Sequence, residues 1–350
     1  MRKNVSRYEN MHRIKMGGFK MGRFLETEKH RQAQLKATSS LFSNAARTDG
    51  YFKNKPWPFC LPLEKADENL FEEVRQPAIE YFAKEKIQWH QGRNGNPSNH
   101  LCDSQVCCVN FLFPFSNKPQ ALVELLRSLF PDVQEMLPIE NSGQFISFEW
   151  IGLENYLGER KAGNGSRTRG ANFTSADAAV MFKRTDGQKH FVLIEWKYTE
   201  SYGGTPLQIA KSGTDRTKIY EHLFVRDDCP IDKKILPDFE SLFFEPFYQF
   251  MRQQFLAHEM ELNRELGADI VTLLHISPKH NTDFLKITSP KLKGLGKSAI
   301  EVWKNLVNTD RFISVSAEEM FGSSAVQKLQ EMKAWREYVN ERYSWIVGIH

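Results

Sequence analysis

Hydrophobic and polar positions in this 350-residue chain are most sharply patterned between Ser175 and Glu200. Two runs, ADAAVMF and FVLIEWKY, flank Thr185-Asp186-Gly187. Turn formers between apolar runs predict a β-hairpin, and a three-residue loop with glycine in the left-handed position is a common connection. With that loop Arg184 faces Gln188, and Asp177 lies across from Glu195. Opposed residues share a face, as do residues two apart, so Asp177, Glu195 and Lys197 are expected on one side. A two-residue loop would set Asp177 against Trp196 and turn it away. FVLIEWKY is apolar on both faces before its charges, the mark of a central buried strand.

The remaining pattern alternates helix and strand. Asn69 to about Gln88 has helical spacing with an interruption expected near Pro77. QVCCVNFLF reads as a buried segment. Residues 120–130 form an amphipathic helix with Leu122, Leu125, Leu126, Leu129 and Phe130 in one stripe, opened by Pro119 and stopped by Pro131. QFISFEWIGL (144–153) predicts a strand. A long helix spans 244–262, opened by Pro246, followed by a buried strand at 268–278. A helix at 298–308, a short strand running into a helix in FISVSAEEMF, and an amphipathic helix over 325–346 complete the reading. The stretches between the hairpin and residue 244 read as loops. The fold class is α/β.

Composition narrows the setting. Hydrophobic content of 41% and charged content of 26% suit a globular chain. There is no apolar run long enough to span a membrane and no secretory apolar region near the N-terminus. Five cysteines suit a reducing compartment, so a cytoplasmic location is expected. The net charge of +4 permits nucleic-acid binding without arguing for it. Residues 1–36 carry ten Lys or Arg against three acids and read as a mobile basic tail, the alternative being an arm that tracks phosphates. His90, His100, Cys102, Cys107 and Cys108 crowd one region but fit no compact zinc pattern, and buried structural cysteines are the expectation.

The chemistry concentrates at the hairpin. Two carboxylates and an ammonium at the end of a buried strand are costly unless partnered. A divalent cation held by Asp177 and Glu195 would offset that cost, with Lys197 beside the attacking water or a phosphate. The alternative is a salt-bridged strand end, Glu195 with Lys197 or Lys183. Just before the hairpin, residues 158–172 are rich in glycine and base, with Arg160, Lys161, Arg167 and Arg169. They read as either a phosphate clamp or a solvated loop. No P-loop glycine fingerprint is present.

An acid opening one strand, then acid-spacer-lysine on the next, resembles the PD-(D/E)xK nuclease superfamily, with its restriction-endonuclease-like fold. Asp177 and Glu195-Trp196-Lys197 carry the likeness. The wording ANFTSADAAV followed by LIEWKYTESY is similar to uncharacterised bacterial proteins described as restriction endonucleases, from about Cys107 to about Phe321. Ala176 stands where that superfamily often has proline. The resemblance implies an αβββαβ core with a central mixed sheet and a helical N-terminal elaboration. It implies magnesium as cofactor, with manganese able to substitute, and DNA as substrate, RNA being left open. It adds a third acid from an earlier element, Glu149, with Glu154 and Glu159 as rivals; Glu149 pairing with an arginine is the plainer alternative. It also lets Gln249 and Gln253 face the site, although residues of this kind are more often helix surface, which is the expectation here. The chain divides into a tail (1–36), an N-terminal elaboration (37–115), a nuclease core (116–322) and a C-terminal helix packed on the core (323–350). The implied function is metal-dependent phosphodiester hydrolysis, as a monomer or homodimer, and the rival is a nucleic-acid-binding protein that keeps the fold without cutting.

Overall fold

A computed structural model describes residues 22–159, 167–171, 173–307 and 310–347. In chain order, α1 (Arg23–Thr38) precedes a small ribbon, β1 (Gly50–Phe52) and β2 (Lys55–Trp57). Then come α2 (Glu72–Lys84), α3 (Ser104–Leu112), α4 (Pro119–Leu126), β3 (Val133–Leu137) and β4 (Ile146–Trp150). The hairpin follows as β5 (Ala176–Arg184) and β6 (Lys189–Trp196). After it run α5 (Thr217–Phe224), α6 (Phe247–Leu262), β7 (Ile270–Ser277), α7 (Ala299–Leu306) and β8 (Phe312–Ser316). Three helices close the chain, α8 (Ala317–Phe321), α9 (Ser324–Lys328) and α10 (Lys333–Arg342).

The central sheet has six strands in the order β3-β5-β6-β7-β8, with β4 also on β5. β3 and β4 share one edge of β5 end to end, β3 along Met181–Arg184 and β4 along Ala176–Val180. The β3, β4 and β6 pairings with β5 are antiparallel; β6-β7 and β7-β8 are parallel. This is a restriction-endonuclease-like α/β architecture with a mixed sheet. The three-residue hairpin loop forms as expected: Arg184 N donates to Gln188 O at 2.9 Å, and Gly187 has φ +87°. The pairs then run from Lys183↔Lys189 to Ala178↔Ile194.

Each sheet face carries its own apolar cluster. Val180, Phe182, Val192 and Ile194 join α2, α3 and α4 and the C-terminal helices on one side. Ala179, Met181, Phe191 and Leu193 join α6 and α7 on the other. Strand alternation assigns the faces until β4 and β5 near their shared end. There Phe148 and Trp150, two apart, enter opposite clusters, as do Ala178 and Ala176. Between the first pair stands Glu149 with φ +51°. A non-glycine residue in the left-handed region is disfavoured by about 1–2 kcal/mol, and here it reverses the strand's facing.

Several elements depart from the sequence reading. Of the expected tail, residues 1–21 lie outside the described residues, but Arg23–Thr38 is helix α1, docked through buried Glu28, Gln32 and Lys36. Its polar residues disguise a buried face because they meet polar partners. α2 runs unbroken through Pro77, its sixth residue, which forfeits the backbone bond to Glu73 that an N–H there would make. β3, the β1-β2 ribbon and α5 arise in stretches read without regular structure. The single helix expected over 325–346 is broken, because Leu329 is extended (φ −68°, ψ 105°). Beyond the break Met332, Trp335 and Tyr338 all reach the core.

Candidate active site

Backbone register sets three acids side by side. Phe148↔Ala178 and Trp150↔Ala176 bracket Glu149 level with Asp177. Ala178↔Ile194 is the last rung of β5-β6, so the next step sets Asp177 level with Glu195. Asp177 replaces that rung with its side chain, accepting Trp196 N at 2.7 Å. Lys197, just past β6, is held by its own N–H on Ile276 O of β7 at 2.8 Å. Glu195 and Lys197 are 1% and 4% exposed, and Glu149 is 7% exposed, whereas Asp177 keeps partial solvent contact.

Helix α6 lies over this strand end. Lys197 Nζ donates to Gln249 Oε1 at 2.7 Å and is hydrogen-bonded to Glu195 Oε1. Gln253 Nε2 donates to Glu195 Oε2 and, at 2.9 Å, to Ser175 O. Gln249 and Gln253 therefore face the strand end, which corrects the expectation that they are helix surface. Residues four apart share a helix face, and on α6 that face is turned to the sheet. On the other side Gln105 of α3 donates to Glu149 Oε1 at 2.7 Å and Ser175 Oγ to Glu149 Oε2 at 2.8 Å. Among the described residues no arginine holds Glu149; its partners are an amide and a hydroxyl.

The rival acids sit elsewhere. Glu154 is exposed. Glu159 accepts Thr174 N at 2.7 Å, Thr174 Oγ1 at 2.6 Å and Tyr220 OH at 2.7 Å, clamping the chain ahead of β5. Arg160 and Lys161 lie outside the described residues. Arg167 and Arg169 do not form a free clamp: Arg167 donates to Gly152 O and Leu153 O, and Arg169 to Phe148 O and Ser147 Oγ. They bind the backbone and side chains of the β4 region. Lys183 pairs with Glu135, not Glu195.

Electrostatics at the row are unbalanced. Burial, then Glu195 and Glu149, push the Asp177 carboxyl well up, against Lys197 and the Trp196 N–H. Burial raises Glu149 despite Gln105 and Ser175, and Glu195 adds to it. Burial lowers Lys197, but Glu195, Tyr202, Glu200 and Asp177 outweigh it and hold the amine well above its usual range. Lys197 is thus a fixed cation and not a base. On β7 opposite Glu195, buried His275 is pushed down to about 3 by burial and by Lys197, so its ring is neutral.

Among the described residues no three His, Cys, Asp or Glu side chains form a ready metal cluster. Each acid of the row is turned to a protein donor instead. The donor set still suits a hard cation: all oxygen, three carboxylates, two of them raised by burial and mutual repulsion. Gln253 Oε1, buried beside Glu195, has no hydrogen-bond partner and is a further oxygen of the same kind. The five cysteines are buried thiols.

The model of the family described as "Restriction Endonuclease associating with ARP" (REase-ARP) matches residues 24–344. The chain belongs to the REase-ARP family. No curated protein and no solved structure gives a significant match. The REase-ARP match begins inside α1 and ends after α10, so it takes in the helices flanking the sheet as well as the strands. No helix among the described residues is long and apolar enough to cross a membrane. Sequence reasoning missed Gln105 and His275. Each is a polar residue within or at the head of an apolar run, and that contradiction was the available signal.

Proposed function

We propose that this chain is a metal-dependent nuclease of PD-(D/E)xK type that hydrolyses phosphodiester bonds in DNA. The observation that carries the reading is the row of Glu149, Asp177 and Glu195 on three adjacent strands, ending at Lys197. The family description supports it. Glu149, Asp177 and Glu195 would hold magnesium, with manganese as a substitute. When bound, the ion would lower the pKa of a water and steady negative charge on the phosphate. The side chains divide the remaining work. Lys197, charged and fixed between Glu195 and Gln249, offers a phosphate oxygen a positive point charge that needs no reorganisation. Gln253 orients Glu195, and Gln105 with Ser175 orients Glu149. Hydrolysis adds water oxygen to phosphorus and breaks one P–O ester bond, the departing oxygen taking the proton.

A second reading has its own support. Both oxygens of Glu195 are engaged, by Lys197 and Gln253, as in a salt-bridged strand end of a non-cutting nucleic-acid-binding protein. Cleavage of supercoiled plasmid and single-stranded DNA, with magnesium, manganese or EDTA, separates the two. The nuclease reading expects metal-dependent cutting that Lys197→Ala abolishes in a folded protein. Cutting that survives in Lys197→Ala, or metal uptake in calorimetry unaffected by Asp177→Ala, overturns the assignment.

A further inference from the structure

The loop between α2 and α3 reaches the same strand end from outside the core. Three nearby residues at the start of α3 tie it there. Cys102 O accepts Thr199 Oγ1 at 3.2 Å, two residues past Lys197. Asp103 caps α3, accepting Val106 N at 3.0 Å through Oδ1, while Oδ2 lies 3.7 Å from His90 Nδ1. Gln105 accepts His90 N at 2.7 Å and donates to Glu149 at 2.7 Å. One amide therefore joins the backbone of His90 to the carboxylate of Glu149.

The loop is held in shape. Trp89 stacks on Phe82 with centroids 3.8 Å apart, and Gln88 N donates to Arg169 O at 3.3 Å. Lys86, Gln91 and Asn94 all have φ between +52° and +57°. Left-handed residues persist where surrounding structure over-determines them, and they gather at functional loops. Amid this fixed backbone the His90 side chain is 63% exposed. Asp103 Oδ2 faces Nδ1 of the ring at ion-pair distance, 3.7 Å.

We propose that His90 is a substrate-facing residue whose imidazole, aimed by Asp103, contacts a backbone phosphate of the nucleic acid beside the carboxylate row. The inference rests on the nucleic-acid reading above, but not on cleavage. The charged groups facing the ring are Asp103 at the head of α3, Glu149 of β4 and Glu200 after β6. Asp103 raises the ring's affinity for a proton, burial opposes it, and Glu149 and Glu200 add to the rise. With Asp103 Oδ2 at 3.7 Å from Nδ1, the ring can offer N–H donors beside acids that would otherwise repel a phosphate. His90 would be a second positive contact, from the opposite side of the row to Lys197.

The test is binding of a labelled short duplex and a labelled single strand, in EDTA at pH 6, across a salt series. His90→Ala should weaken binding roughly three- to tenfold whatever the sequence, and should flatten the slope of log affinity against log salt by about one. His90→Lys should restore the slope, which a merely structural role would not allow. Asp103→Asn keeps a residue able to cap α3 and should give an intermediate slope. An unchanged affinity and slope in His90→Ala overturns the proposal, as does failure of His90→Lys to restore them. Since no cutting is needed, a native protein that fails to cleave sinks the hydrolysis reading while this measurement still decides the role of His90.

Discussion

Two buried polar groups of residues sit back to back at the end of β6. Lys197 belongs to the acid row under α6. Its neighbour Tyr198 points into the other face, where its OH donates to Glu28 at 2.6 Å. There Arg342 donates to Asn69 Oδ1 at 2.7 Å and to Gln32, while Gln32 Nε2 returns to Arg342 O at 2.9 Å. Glu28 also has Arg31 at 2.8 Å. In this second network one carboxylate, Glu28, stands among two guanidiniums, Arg31 and Arg342, and it knits α1 and α10 to the sheet. In the first, three carboxylates face one ammonium. The second is the drier of the two, since Asp177 keeps partial solvent contact. The difference in charge balance separates a network that holds the fold from one that, on the proposed function, takes a cation.

The sharpest way to break that contrast is through activity. Lys197→Ala and Asp177→Asn should each reduce metal-dependent cleavage about 100- to 1,000-fold, the order expected for a preorganised group at the developing charge; circular dichroism should show native helix content. Arg342→Ala should instead destabilise by about 3–5 kcal/mol in urea unfolding, because a buried ionic partner is lost. Its folded fraction should still cut.

Acidity distinguishes the two next. Asp177 has a folded pKa above its ordinary 3.8. A raised carboxyl favours the folded state only while protonated, so stability conferred below pH 4 is lost as pH rises toward the folded pKa. In EDTA the midpoint of thermal unfolding should fall over that window, and magnesium or Asp177→Asn should flatten the fall. A slope that neither changes would mean the acids do not sense each other. The smallest effect is expected at Glu28, also raised, chiefly by burial. Glu28→Gln can still accept from Tyr198, so stability should change by less than about 1 kcal/mol and cleavage not at all.

Legibility in the sequence followed the same division. The hairpin and its register could be read because Thr185-Asp186-Gly187 fixes the loop length and Gly187 takes its left-handed position. α6 and β7 were legible from long apolar patterns. α1 was not, since Glu28, Gln32 and Lys36 look solvent-facing and are buried only because Tyr198, Arg342 and the Cys60 carbonyl meet them. The same blindness put Gln249 and Gln253 on the surface. Amphipathic periodicity reports which side is apolar, and it fails wherever a buried face is built from matched polar groups. Asp177, Glu195 and Lys197 came from spacing and resemblance together, and Glu149 needed the resemblance.

At Glu149 the two demands on a protein oppose each other. Its backbone occupies a region that glycine enters without steric penalty. Glu149→Gly should therefore relax the strand, remove a buried acid and leave a sturdier fold, while deleting one oxygen donor of the row. A screen for thermal tolerance alone would favour that change, and one for function would reject it.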